Sequence, residues 1–439
     1  MAHHTARSAT RQLVDRLNAF PQGAPPSDLL YRILELLFSE REAALVAQLP
    51  IRPFTVARAA RLWRTGQTEA RRVLDELAGR AVLLDYEAEG VRRYTLPPPM
   101  AGFFEFSMMR VRDDIDQKLL AELFYQYLNV EEDFIRDLFT EGETQLGRTF
   151  VDERALPSEL SLHVLDHERA SEVIRGAPPM GVSLCYCRHK MAHLGRACDA
   201  PLDICMTFGA TADSLIRHGY ARAVDAAEGL DLLAVARERS LVQFGENVRS
   251  SVSFICNCCG CCCEAMIAAR RFGHLHPVHT TNYLPAFSGQ SCTGCGNCVN
   301  ACPVEALSLI SANDPRHAKA RKARLDETIC LGCGVCVGAC RHQAITMRQR
   351  PERVITPLDS AHRVVMMAIE RGTLAQLVFD TRGAGHRALA AILGVILRLP
   401  PIKQALASQQ VKSRYLERLL SSRSGRTPGT PAPRAAPVG

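Results

Sequence analysis

The sequence predicts an α+β chain assembled from several units, and three observations lead to that reading. Apolar residues recur at helical spacing over Leu29–Leu37 and give way to strand-like alternation over Val82–Leu96. Ten cysteines crowd the middle of the chain. After them a compact spacing of four cysteines occurs twice, each time beside a short apolar segment of strand character. At 439 residues, 47% hydrophobic and 23% charged, the chain is long enough for about two to four domains of ordinary globular composition. A net charge of +7 is modest for this length and selects no partner class by itself.

Residues 1–27 are polar and contain Pro21, Pro25 and Pro26, which predicts a flexible leader with one short helix. Residues 28–100 follow the pattern of a winged-helix-like domain. Leu29, Leu30, Ile33, Leu34 and Leu37 define a first helix. Residues 55–63 form a second, with Ala57, Ala60 and Leu62 inward, and Thr65-Gly66-Gln67 turns into a third that Thr68 caps and Val73, Leu74 and Leu77 face inward. Segments 82–86 and 91–96 then pair around Glu89-Gly90. A DNA reader of this shape would offer Arg71 and Arg72 to the major groove. The first hundred residues hold fourteen Arg, no Lys and eleven acidic residues, and Asp85, Glu87 and Glu89 would put the wrong sign against phosphate. A structural or protein-docking role is therefore favoured over nucleic-acid binding.

Residues 101–165 read as a helical connector, with Ile115, Leu119, Leu120, Leu123, Phe124 and Tyr127 on one face and Phe103, Phe104 and Phe106 in packing. Residues 166–278 form a Cys-rich domain expected to be helical, its 212–247 stretch giving two or three helices joined near Gly219 and Gly229. The repeated cysteine spacing falls in 279–350. A helical C-terminal region, 351–420, is expected to hold helices over 386–399 and 402–420 broken at Pro400-Pro401, and 421–439 is a disordered tail. The longest apolar run, 388–397, is too short to span a bilayer, and no secretory signal is evident. Those absences and the clustered cysteines place the chain in a reducing compartment, the cytoplasm.

The repeats are Cys292-x2-Cys295-x2-Cys298-x3-Cys302 and Cys330-x2-Cys333-x2-Cys336-x3-Cys340. Three thiolates two residues apart wrap a loop onto one cluster, and the fourth reaches across to the other cluster of the pair. The expected ligand sets are Cys292, Cys295, Cys298 with Cys340, and Cys330, Cys333, Cys336 with Cys302, each holding a [4Fe-4S] cluster. Gly294, Gly296, Gly332 and Gly334 permit left-handed turns that bring amides near the sulfurs. This segment resembles a bacterial-type two-cluster ferredoxin module. It departs from that pattern at Arg341, where proline usually follows the fourth cysteine, and in a basic insert over 312–324 (Arg316, Lys319, Arg321, Lys322, Arg324). The insert is a solvated loop, or, more sharply, a docking surface for an acidic redox partner.

Of the eighteen cysteines, ten lie upstream: Cys185, Cys187, Cys198, Cys205, Cys256, Cys258, Cys259, Cys261, Cys262 and Cys263. Six in eight positions is a density that oxidation disfavours unless the thiolates are bound or used. One site does not easily use all six, so the run shares ligands with the Cys185–Cys205 group or holds an unusual cofactor. The candidates are a further iron–sulfur cluster and zinc. Arg188, His189, Lys190, His193 and Arg196 beside the first group read as a solvated basic face, with His189 and His193 as alternative ligands on a helix. The order Cys-x-Cys-Arg, Cys-Asp-x-Pro, Asn-Cys-Cys-Gly-Cys-Cys-Cys resembles a group of large anaerobe-type iron–sulfur proteins ending in a two-cluster ferredoxin module. That resemblance implies iron–sulfur electron transfer and assigns no substrate.

No Gly-rich dinucleotide fingerprint, P-loop or radical-enzyme cysteine triplet is present. The leading expectation is an electron-transfer protein or oxidoreductase subunit serving a redox partner protein, rather than a stand-alone enzyme. The alternatives are an oxidoreductase with a catalytic cluster at Cys256–Cys263 and a redox-sensing DNA-binding regulator.

Overall fold

The computed structural model describes residues 2–378, so the helices and tail expected beyond 378 lie outside the described residues. The chain divides into two compact units, Met1–Met367 and Ala368–Gly439. In the second, the described part includes a short helix, Leu374–Val378.

The expected flexible leader is instead a helix, Ala2–Asn18. Its polar composition hides an apolar stripe: Leu13, Val14 and Leu17 are buried in the same core as Leu30, Ile33 and Leu34. Asn18 ends it by donating from Nδ2 to the carbonyls of Val14 and Ala24 at 3.0 and 2.9 Å. Helices Asp28–Leu37, Glu40–Val46, Val56–Trp63 and Gln67–Gly79 follow. Ser27 caps the first, and Ser39 with Glu42 forms a capping box on the second, a helix that apolar spacing did not indicate. The helix expected to be capped by Thr68 is capped two residues earlier, by Gly66, and begins at Gln67.

Strands β1 (Leu84–Ala88) and β2 (Val91–Thr95) pair antiparallel as a hairpin. Asp85 does not face solvent. It is buried, accepts from Ser214 Oγ at 2.8 Å, and is ion-paired with Arg217 and His218, which ties the hairpin to helix Gly209–Arg217. Burial raises its pKa, but hydrogen bonds and charge from His218, Ser214 and Arg217 outweigh that and hold it at about 2.

The Cys-rich middle is not purely helical. A six-stranded antiparallel sheet runs through it in the order β3-β7-β8-β5-β4-β6. Its strands are β3 (Gly147–Thr149), β4 (Met180–Leu184), β5 (Asp203–Phe208), β6 (Arg222–Val224), β7 (Val242–Glu246) and β8 (Phe254–Cys258). Strands β4, β5 and β7 are buried over nearly their whole length, so they lack the polar alternation that reveals a half-exposed strand. Strand β3 lies within the expected helical connector. Gly229 is no joint: it sits inside helix Ala226–Glu238, where a Cβ would meet Met180 Cε at 2.7 Å.

The last part of the unit holds two small antiparallel pairs, β9 (Tyr283–Phe287) with β12 (Ile345–Gln349) and β10 (Leu307–Ser311) with β11 (Arg321–Leu325). The basic insert is therefore only in part a loop, since its end forms β11.

Candidate metal centres

The two cysteine repeats fold into matching loops, each followed by one short helix, Asn297–Ala301 and Val335–Gly338. Gly294 and Gly332 occupy equivalent turns with φ of +69° in both. A Cβ there would lie 2.2 Å from Arg321 O and 2.0 Å from Tyr283 O, so neither turn accepts a side chain. The loops enclose two cavities of about 340 Å³ each, counting the solvent they open to. Cys292, Cys295, Cys298 and Cys340 line the outer one; Cys302, Cys330, Cys333 and Cys336 line the inner one. The structure thus brings together the two crossed sets read from the spacing.

Backbone amides point at the sulfurs in the same pattern on both sides. Ala306 N donates to Cys302 Sγ at 3.2 Å and Ala344 N to Cys340 Sγ at 3.4 Å, each from four residues on. Such bonds favour electron-rich sulfur and tune a bound cluster. The environments differ in exposure. Cys295 is exposed, and a hydrogen bond from Asn297 N lowers its pKa. Burial pushes the Cys330 thiol up to about 11 and those of Cys333 and Cys336 further. A bound cation would offset that desolvation when those thiols ionise.

The ten upstream cysteines sort into two groups that cut across both sequence clusters. Cys198, Cys259, Cys261 and Cys262 form a tetrad whose sulfurs all lie within 4.8 Å of one another. Contacts within it are 3.6 Å (Cys198–Cys259), 3.6 Å (Cys261–Cys262) and 3.9 Å (Cys262–Cys198). A tetrahedral ion with metal–sulfur bonds of about 2.3 Å separates its ligands by about 3.8 Å. A cubane, with one outward thiolate on each iron, needs its sulfurs further apart. The tetrad has the spacing of a single-ion site. A hydrogen bond from Cys262 lowers the Cys259 pKa to about 4, with help from Arg188, so the site already favours a thiolate.

The other six form a closed ring. Cys185 neighbours Cys187 and Cys205, Cys205 neighbours Cys256, Cys256 neighbours Cys258, Cys258 neighbours Cys263, and Cys263 neighbours Cys187. Cys263 Sγ lies 3.1 Å from Cys258 Sγ. Strand register explains half of it. Met206 pairs with Ile255, so one step along the strands Cys205 comes opposite Cys256, and Cys258 falls on the same face two residues on. Helix ends supply the rest: Cys185 is the N-cap of helix Tyr186–His193, Cys187 lies in its first turn, and Cys263 is the N-cap of helix Glu264–Arg271. Hydrogen bonds with two neighbouring thiols acidify Cys256 to about 5 and Cys263 to about 6. The same contacts push Cys187, Cys205 and Cys258 well above the ordinary range.

Three of the five basic residues expected as a solvated face are buried, which corrects that expectation for them, while Arg196 is exposed and His193 half-buried. Arg188 and Lys190 are 1% and 0% exposed, and His189 is buried with its Nδ1 2.7 Å from Met108 O. The rings of His189 and His193 lie 4.8 Å apart at a tilt of 44°, and neither histidine belongs to the tetrad. Lys190 Nζ is paired with Glu264 and with Asn129 Oδ1 at 2.7 Å, and Asn129 Nδ2 donates to Glu264 Oε2 at 2.7 Å. That closed triad joins the two helices whose N-termini bear ring cysteines. Sequence reasoning missed it because the three partners are separated by sixty residues or more. All six ring cysteines, with Cys259, line a large cavity of about 1740 Å³, counting the solvent it opens to. Its walls are mainly apolar, including Phe106, Phe139, Phe244, Met109 and Met206. Burial, then the charge of Cys256, raises Glu105 on the cavity wall well above the ordinary carboxyl range.

The family model of the 4Fe-4S dicluster domain matches residues 291–344. No curated protein and no solved structure matches the chain. Together with the cysteine-lined cavities, that match identifies an iron–sulfur protein, similar over 291–344 to the 4Fe-4S dicluster domain.

Proposed function

We propose that the chain is an electron-transfer protein or oxidoreductase subunit binding two [4Fe-4S] clusters. Cys292, Cys295, Cys298 and Cys340 hold the outer one, and Cys302, Cys330, Cys333 and Cys336 the inner. The observation that carries this reading is the pair of equal cavities, each lined by three cysteines of one repeat and the fourth of the other. Clusters bound there supply one-electron redox chemistry.

The surroundings suit a relay that starts at the surface. Hairpin β10–β11 covers the outer cavity through Leu309 and Ala323, and it exposes Arg321 and Arg324 beside Arg316 and Lys319. An acidic redox partner would meet the outer site over that face. The inner site abuts the Cys-rich region: a Cβ on Gly260 would lie 2.6 Å from Pro303 O, so the Cys259–Cys261 turn rests on the residue after Cys302. Cys258, Cys263 and Cys330 belong to one packed cluster of side chains that also reaches Cys302 and Cys333.

The tetrad's spacing favours one tetrahedral ion, zinc, as a structural clamp between the Cys198 loop and the Cys259–Cys262 turn. Residues 28–100 serve as a winged-helix-like docking domain. Arg72 on the third helix is paired with Glu69 and Glu76, which takes one of the two expected groove-facing cations from phosphate.

Anaerobic purification with iron, sulfide and zinc counts and low-temperature EPR tests the reading. Cys295→Ala should remove the outer site's signal and Cys333→Ala the inner one's. Cys198→Ser should release about one zinc without loss of iron. Retention of both signals in the Cys295→Ala/Cys333→Ala double variant would refute the assignment.

A further inference from the structure

We propose that Cys258 and Cys263 are a redox-active dithiol that passes two electrons from the repeat clusters to a small apolar disulfide bound in the large cavity. For its reductant the proposal rests on the electron-transfer reading above. The pairing of the two thiols stands apart from that reading.

Spacing separates this pair from a metal site. The two sulfurs are 3.1 Å apart, closer than the 3.6 to 3.9 Å contacts of the tetrad. Two thiolates on one tetrahedral ion stand about 3.8 Å apart, and those of a cubane further still. No third ligand joins them: the tetrad is the one group of cysteine, histidine or carboxylate ligands among the described residues whose atoms all lie within 4.8 Å. Cys256 neighbours only Cys258 of the pair, and Cys187 only Cys263. A disulfide, by contrast, needs the two sulfurs to approach by about 1 Å, to a bond of about 2.05 Å.

The fold sets the pair between an electron source and an open space. Cys258 ends strand β8, Cys263 caps helix Glu264–Arg271, and the turn 259–262 joins them. That turn rests on Pro303, the residue after the inner-site ligand Cys302. Cys258, Cys263 and Cys330 pack in one cluster of side chains. On the other side both thiols line the cavity of about 1740 Å³, counting the solvent it opens to. A purely structural disulfide is shut in by packing, whereas this pair has room beside it for a second disulfide to approach. Phe106, Phe139, Phe244 and Met109 on the walls select a molecule with an apolar body.

The electron count also matches. Two clusters each deliver one electron, and one disulfide takes two. In the first half-reaction the Cys258–Cys263 bond accepts two electrons and two protons and opens to two thiols. In the second, one sulfur of the pair gives up its proton and attacks the substrate disulfide, and the first substrate thiol leaves. The other sulfur then displaces the second substrate thiol and restores the Cys258–Cys263 bond. The net reaction turns one disulfide, two electrons and two protons into two thiols.

The test uses the full metal-loaded chain without oxygen. One equivalent of diamide, then denaturation and differential alkylation read by mass spectrometry, should identify Cys258 and Cys263 as the disulfide formed. With reduced methyl viologen as donor, the protein should reduce lipoamide, an apolar cyclic disulfide, at two viologens oxidised per disulfide opened. Cys258→Ser and Cys263→Ser should each slow that reaction at least about tenfold. The EPR signals of the repeat clusters and the zinc count should persist in both, which shows that the variants fold. Cys295→Ala/Cys333→Ala should still form the diamide disulfide but lose viologen-driven turnover. Turnover that persists there would overturn the relay reading, while the disulfide in the same sample would still identify the dithiol. No disulfide between Cys258 and Cys263, or wild-type turnover in either serine variant, would overturn the proposal. So would iron above about eight per chain that is lost in Cys258→Ser.

Discussion

Replacing Lys190 by methionine tests the energetic logic of the Cys-rich region most directly. Lys190 is 0% exposed and its Nζ contacts both Glu264 and Asn129. Methionine fills the volume but leaves Glu264, 1% exposed, with a buried charge and only Asn129 to bind it. Breaking one side of a buried pair costs about 3–5 kcal/mol, or two to nearly four decades in the folding equilibrium. Lys190→Met/Glu264→Gln removes the stranded charge and should recover most of that loss. The assay is urea unfolding of the metal-loaded protein, with the midpoint and slope analysed together. Because the pair fastens the helices that start at Cys185 and Cys263, Lys190→Met should also release upstream metal before the repeat clusters. A loss below about 1 kcal/mol, or no recovery in the double variant, would refute the view that this pair holds the ring together.

Three further outcomes follow from the same structure. The Asp85 pKa is depressed to about 2, so its stabilisation is present above the unfolded value near about 3.9 and is lost as pH falls through the folded one. The urea midpoint should fall between those values, and Asp85→Asn should flatten that part of the profile by about 2 kcal/mol; equal slopes would contradict the buried network. Gly332→Ala should abolish the inner cluster's EPR signal and spare the outer one, with Gly294→Ala doing the reverse, since each Cβ meets a different carbonyl. Arg321→Glu/Arg324→Glu should slow reduction by an acidic carrier by about tenfold at low salt and weaken its salt dependence; an unchanged rate would remove β11 from the docking surface.

The ferredoxin-like repeats were the most legible part of the fold, because their ligands are local. Three of four cysteines per set lie within seven residues, and glycines at 294 and 332 encode the loop that points them inward. Three of the helices over 28–79, all but Glu40–Val46, and the hairpin after them were also readable from periodicity. The leader was misread because Leu13, Val14 and Leu17 form a narrow stripe in a polar segment. The sheet was missed because strands buried on both faces show no alternation. The same burial turned an expected basic surface at Arg188–Lys190 into an interior.

By itself, the sequence determined the cofactor chemistry of residues 292–340 and the abnormal density of thiols upstream, since both are questions of residue type and short spacing. Which upstream thiols stand together was decided by tertiary structure alone. Cys198 leaves its sequence neighbours for Cys259, Cys261 and Cys262, while Cys185, Cys187 and Cys205 join Cys256, Cys258 and Cys263. The physical reason is register: the pairing of β5 with β8 sets Cys205 against Cys256, and a slip of one residue would turn those side chains to the opposite face. Adjacent cysteines along one strand and turn point in different directions, so a single dense run is divided between two separate groups of thiols.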